Sequence, residues 1–228
     1  MPGKSRGIVV LDPGHGGPST TPKLGGSSWN NAKSISGVLE KNLALDFCKL
    51  LKSELESQAQ ASGDTVSVFL TRTTDVNVGI KDRAALAGSK KADRFLSLHF
   101  NGFTKPEARG PETYYASKAN GNSNEAEDKK FADAVHAGLL AGIRAVDPTV
   151  KDRGVKPDDK SGPGRLGTLN DVALGNSGRA DKCLAAYVEA EFITNPTVEK
   201  VLISGPNAKS NQRTVMASVA RAILATLP

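Results

Sequence analysis

The chain has 228 residues, with Lys+Arg 30 against Asp+Glu 24 for a net charge of +6, 38% hydrophobic and 5% aromatic residues, and only two cysteines. That length suits one domain with a full core, and no Pro/Gly/Ser linker separates two apolar halves. No apolar run approaches the roughly 20 residues that span a membrane, and the basic residues are scattered with few aromatics. The composition therefore argues against a nucleic-acid groove and favours contact with an acidic envelope, or simple solubility. Apolar runs alternate with helical patterns, so the expected fold is α/β. Met1 to Arg6 is basic but leads only into a short apolar run ending at Asp12, which does not read as a signal peptide.

Residues 8–11, Ile-Val-Val-Leu, form a β-branched run that stops at Asp12-Pro13-Gly14, with His15 set between glycines. Pro13 cannot continue a ladder, and the glycines permit a sharp turn and close approach of a ligand. His15 is thus presented where open α/β sheets put their sites; the turn alone is equally consistent with a merely exposed histidine. Residues 16–37 form a long polar loop carrying the only tryptophan, Trp29. That side chain either contacts substrate or tucks the loop onto the body, and the second reading is preferred.

From Val38 the pattern becomes helical, with Ala44, Phe47, Cys48, Leu51 and Leu55 on one stripe. One turn back along that stripe lies Glu40. A first-turn glutamate is ordinarily explained by the helix dipole, yet a carboxylate on an inward face needs a partner or a metal. Residues 66–71 read as a second strand, a helix follows through Arg83, and residues 94–102 read as a third strand. Alternation there puts Phe95, Ser97 and His99 on one face and Leu96, Leu98 and Phe100 on the other.

Residues 110–115 predict a fourth strand, and the polar stretch 119–128 a surface insertion. A helix follows with Phe131, Val135, Leu139 and Ile143 inward and His136 off the stripe, solvated and without a role. Residues 148–182 form a second long loop and one wall of a cleft. Its basic residues, including Arg153-Gly154-Val155-Lys156, either grip an anionic substrate or are solvated. The stretch from Leu184 predicts a last strand carrying Glu189 and Glu191 and stopped by Asn195-Pro196, and Val215, Val219, Ile223 and Leu224 mark a closing helix. Cys48 and Cys183 read as small core residues, with a disulfide open in an oxidising compartment.

His15, Glu40 and His99 together make a His₂Glu set, a donor type used by catalytic zinc. A second carboxylate must then move the proton to the leaving group, and Glu189 is the candidate. His-Glu-x-x-His is absent, so spacing alone does not establish a metal. The order Asp12-Pro-Gly-His-Gly-Gly17, Glu40, Ser97-Leu-His-Phe-Asn101, then Val188-Glu-x-x-Phe-Ile-x-Asn-Pro196 resembles the zinc-dependent N-acetylmuramoyl-L-alanine amidases of the Amidase_3 class. Leu70-Thr71-Arg72, Arg83 and Gly110-Pro-Glu-Thr-Tyr-Tyr115 extend the likeness from Gly7 to about Leu227.

The resemblance implies a single catalytic domain over residues 1–228, built on a twisted, mostly parallel sheet flanked by helices on both faces. It implies one Zn²⁺ held by His15, Glu40 and His99, with Glu189 as catalytic acid/base, and cleavage of the amide between muramic acid and L-alanine in peptidoglycan. Glu191 falls at a variable position of the motif, with a modest electrostatic role. Many relatives have Val-Leu-Arg where this chain has Thr168-Leu169-Asn170, which leaves substrate detail open.

Peptidoglycan is the expected partner, with no nucleic acid and no membrane insertion, and the chain is expected to be a monomer acting on the cell wall. A phage endolysin, a delivered effector and a trimmed exported hydrolase all fit. Two other readings compete: a zinc exopeptidase of similar sheet architecture, which would want further carboxylates for a second metal, and a non-catalytic peptidoglycan-binding module.

Overall fold

The computed structural model describes residues 5–25, 32–176 and 182–228; Trp29 lies outside them. A six-stranded sheet has the order β2-β1-β3-β6-β4-β5. Its strands are β1 (Ser5–Pro13), β2 (Thr65–Leu70), β3 (Arg94–Asn101), β4 (Glu112–Tyr115), β5 (Val155–Pro157) and β6 (Leu184–Phe192). Every pairing is parallel except that of β4 with β6. The main helices are α1 (Glu40–Ala61), α2 (Ile80–Lys90), α3 (Glu125–Val146) and, after a short helical turn, α4 (Ala208–Thr226).

Both faces of the sheet are covered, which is why β1 reads as a continuous apolar run rather than an alternating one. Val9, Leu11, Leu96, Leu98 and Phe100 pack under α1, α3 and α4. Val10 and Phe95 face Ala84 and Ala87 of α2, together with Leu169 and Leu174 from the second long loop. The α1 stripe expected from Ala44 to Leu55 is fully buried. Cys48 belongs to the first of these layers and Cys183 to the second, so the sheet separates them and both are free thiols.

Three expectations are corrected. The stretch 119–128 lies on the surface only in part: Ala119, Gly121, Ser123, Ala126 and Glu127 are exposed, but Asn122, Asn124 and Asp128 are buried, and Asp128 accepts the Ala185 backbone N–H at 2.9 Å and the Asn122 amide at 2.8 Å. A polar network that ties α3 to β6 looks, in sequence, like a solvated loop. His136 is buried as well, bonded to Thr113 Oγ1 on β4 and to Asp152, both at 3.0 Å. The apolar stripe of α3 could not reveal a polar partner presented by a strand. The second long loop contains β5, a strand too short for a periodicity.

Burial pushes the Asp128 carboxyl up from 3.8 to about 6, against its two hydrogen bonds. The unfolded chain loses that proton near 3.8 and the folded chain holds it to about 6, so the native state is favoured at low pH and loses that advantage as pH rises through the folded value. Asp128→Asn keeps the acceptor for Ala185 and removes the titration. Between pH 4 and pH 7 the wild type is expected to lose roughly 2–3 kcal/mol relative to this variant in urea unfolding. A difference independent of pH would contradict the assignment.

Candidate metal centre

The strand ends bring His15, Glu40 and His99 together, and their donor atoms all lie within 4.8 Å of one another. His15 Nε2 is 3.0 Å and His99 Nδ1 3.1 Å from the same oxygen, Glu40 Oε1. Among the described residues this is the one group of three or more such side chains able to hold a metal ion. A tetrahedral site with bonds of about 2.0–2.2 Å requires donors roughly 3.3 Å apart, so the Glu40 separations fit a small cation.

Glu40 opens α1 at the carboxyl end of the sheet and is only 4% exposed. Its Oε1 accepts the Phe100 N–H at 3.1 Å and its Oε2 the Ala32 N–H at 3.1 Å. Burial alone would raise its pKa, but the hydrogen bonds and charges of the two histidines outweigh it and hold the carboxyl far below the usual range. His99 is depressed by burial, against the pull of Glu40.

His15 has a left-handed backbone, φ +56°, a conformation that non-glycine residues adopt rarely. Buried cations fix it through the carbonyls of its loop. Arg83 reaches the carbonyls of Pro13 and His15, both at 2.8 Å, while Arg72 reaches Gly14 at 2.7 Å and Lys41 reaches Gly17 at 2.7 Å. Asp12, at the end of β1, anchors Arg83 at 2.7 Å and also accepts from Thr71 and Ser97. Burial would raise the Asp12 carboxyl, yet Arg83 and the two hydroxyls keep it below its ordinary value. Gly14 lies against the other histidine: a Cβ there would fall 2.3 Å from His99 Cε1.

Glu189 on β6 stands opposite His99 in register. Its Oε1 accepts the Tyr187 hydroxyl at 3.2 Å, while its buried Oε2 has no hydrogen-bond partner among the described residues. Burial, then the Glu40 charge, push its pKa well above the usual carboxylate range, against the Tyr187 hydrogen bond. Tyr187 also stacks on the His99 ring at 4.4 Å. Glu191 departs from the expected role. The β3–β6 register slips after His99, and the Glu191 carboxylate turns to the backbone N–H groups of Gly110 at 2.6 Å and Phe192 at 3.1 Å, supporting the strand rather than the site.

Two cavities flank the centre. One of about 320 Å³ runs from His15 and His99 to Ile80, Arg165, Leu166 and Thr168, so the second long loop does form a wall. The other, about 610 Å³ and more open, is lined by Glu40, Asn101, Phe103, Tyr187, Glu189 and Thr194. Asn170 donates to Asp158 and to the Leu166 carbonyl at 2.8 Å, tying the loop to itself.

Sequence reasoning missed Tyr187, Lys41 and the work of Asp12. Tyr187 was accessible, since it sits two residues before Glu189 on the same strand face. Asp12 ends a buried strand, which itself demands a cation. Lys41 carried no signal.

The architecture and the strand-end site define a class, an α/β domain with a His–Glu–His cluster at the carboxyl edge of its sheet. The catalytic domain of CwlV, an N-acetylmuramoyl-L-alanine amidase from Bacillus (Paenibacillus) polymyxa var. colistinus, has the same fold. It is 25% identical with a TM-score of 0.68, over 95% of this chain and 96% of that one. The amidase AmiC of Neisseria meningitidis is 29% identical over 98% of this chain and 55% of its own length, and the endolysin of Bacillus phage SPP1 35% identical over 68% and 48%. The chain thus spans about half the length of these two curated relatives. The sequence model of the N-acetylmuramoyl-L-alanine amidases matches residues 9–225, and the chain belongs to that family.

Because Gly14 packs on the His99 ring, Gly14→Ala should push that ring, ring nitrogens included, out of the cluster while leaving His15, Glu40 and His99 themselves unaltered. Metal affinity measured by chelator competition is expected to fall about 10–100-fold, as when the support of a metal-binding side chain is disturbed. An unchanged affinity would remove the ring from the site.

Proposed function

We propose that this chain hydrolyses the amide between N-acetylmuramic acid and L-alanine in peptidoglycan, using one zinc ion held by His15, Glu40 and His99 and a proton carried by Glu189. The single observation that carries this reading is the buried, unbonded Oε2 of Glu189 beside a two-imidazole, one-carboxylate donor set. That set suits zinc better than calcium or magnesium. The family match and the N-acetylmuramoyl-L-alanine amide named for AmiC of Neisseria meningitidis support the substrate. The unit proposed is a monomer acting at the cell wall, where peptidoglycan lies. No helix among the described residues is long and apolar enough to cross a membrane.

Zinc bound there supplies Lewis acidity, polarising the scissile carbonyl, acidifying the attacking water and offsetting the Glu40 charge that bears on Glu189. Glu189 Oε2 accepts the proton from that water and returns it to the departing L-alanine amine. Tyr187 engages Oε1 and leaves Oε2 for this transfer. Burial, the largest cause of the raised proton affinity of Glu189, lets the carboxyl retain the proton until the amine leaves. Tyr187 and Gly14, packed on His99, hold its ring in one orientation. Arg83 and Arg72 keep the His15 loop in its left-handed turn.

Zinc-loaded protein is expected to release stem peptides from muramoyl peptides, with mass spectrometry locating the cut at the muramoyl–L-alanine amide. Glu189→Gln should bind one zinc, keep its fold and cleave about 10²–10⁴-fold more slowly. Cleavage at the parent rate by this variant would overturn the mechanism.

A further inference from the structure

Glu112, Arg153 and Lys156 take no part in the reaction derived above, yet they continue the row of site residues across the strand ends. His99 on β3 is opposite Glu189 on β6, Glu189 is opposite Glu112 on β4, and β4 pairs with β5, which carries Lys156. Glu112 is 5% exposed, and its Oε1 accepts the Asn101 amide at 2.8 Å. Its Oε2 meets Lys156 Nζ at 2.6 Å and Arg153 Nε at 3.2 Å. The Arg153 guanidinium also lies 5.0 Å from the Phe192 ring centroid.

Two cations share one buried carboxylate, so the cluster keeps a positive charge. The side chains of Lys156 and Arg153 are 34% and 39% exposed, and an ammonium and a guanidinium have more N–H donors than Glu112 can occupy. Their heads are held in place yet open to an incoming acceptor, an arrangement suited to a carboxylate.

The direction of proton delivery says which part of a substrate meets them. The amine that leaves is the peptide's, and it must lie next to Glu189 to receive the proton. The peptide therefore lies on the Glu189 side of the centre, where β4 and β5 continue the sheet, and not on the β1 side. Strands are spaced about 4.8 Å apart and an extended peptide advances about 3.3–3.6 Å per residue. The Lys156 ammonium, drawn back over β4 by Glu112, is thus reached one or two residues beyond the scissile amide.

We propose that Lys156 and Arg153, anchored by Glu112, form a carboxylate-binding subsite that selects stem peptides with a free carboxylate on the residue following L-alanine. This inference rests on the amidase reading and extends it from the bond to the peptide.

The test uses two muramoyl peptides that differ only in a carboxylate or a carboxamide on that residue. KM and kcat are measured for each, and calorimetry gives the affinity of each released peptide for metal-free protein. The wild type is expected to favour the carboxylate about tenfold in KM and in peptide affinity, as for one partly exposed charge-assisted contact. Lys156→Gln with Arg153→Gln should abolish both preferences. Retention of the preference by that double variant, at an unchanged unfolding midpoint, overturns the subsite. Cleavage of both substrates by the wild type with equal KM and equal peptide affinity overturns it without any variant, and leaves the amidase reading standing. A tenfold affinity ratio without cleavage of either substrate supports the subsite and overturns the amidase reading.

Discussion

A negative charge at the head of an inward-facing helix organises the cleft. Glu40 stands on the same face of α1 as Ala44 and Leu51, both fully buried, and an unpaired carboxylate there would cost several kcal/mol in lost hydration. Its compensation comes from elsewhere in the chain: the Ala32 N–H before the helix, the Phe100 N–H at the end of β3, and the rings of His15 and His99. The helix, two strand ends and a loop must all arrive correctly for that charge to be tolerated. The folding of the domain and the assembly of the donor set are therefore largely one event.

Around this lies a second layer of charge with the opposite sign. The carbonyls of Pro13, Gly14, His15 and Gly17 point at Arg83, Arg72 and Lys41. A left-handed backbone at His15 costs about 1–2 kcal/mol, and hydrogen bonds to charged groups contribute about 1.5–3 kcal/mol each. The strained turn is thus the favoured one, and the imidazole is aimed before any ion arrives. Glu189 is treated differently: it is buried with one oxygen bonded and one not, so its own surroundings leave it short of a partner. The three residues proposed to hold the metal are held firmly, and Glu189, proposed to carry the proton, is left with one oxygen unengaged.

What the linear pattern revealed were the features encoded by local periodicity. The apolar run before Asp12, the stripe that singled out Glu40, and the alternation that separated His99 from Leu98 each follow from helix or strand geometry, so the layers and the meeting of His15, Glu40 and His99 were legible. What it hid depends on contacts between distant segments. His136 looked solvated because Thr113 and Asp152 are brought to it by β4 and by the loop before β5. Residues 119–128 looked like surface because polar side chains that satisfy one another in the interior have the same composition as those that face water. Glu191 could not be told from Glu189 without the slip in register between β3 and β6.

The two sides of the centre differ in chemistry. One cavity leads to Ile80, Leu166 and Arg165, the other past Glu189 to Asn101 and Phe103, and the strand beside Glu189 carries Glu112, which holds the cation pair. The proposed reaction depends on an ion being held among His15, Glu40 and His99. Anomalous diffraction from zinc-soaked crystals, recorded above and below the zinc absorption edge, tests this most directly. One peak is expected, about 2.0–2.2 Å from a ring nitrogen of each histidine and from a Glu40 oxygen. No peak among these three side chains, or a peak held by other residues with these left unliganded, would contradict the account.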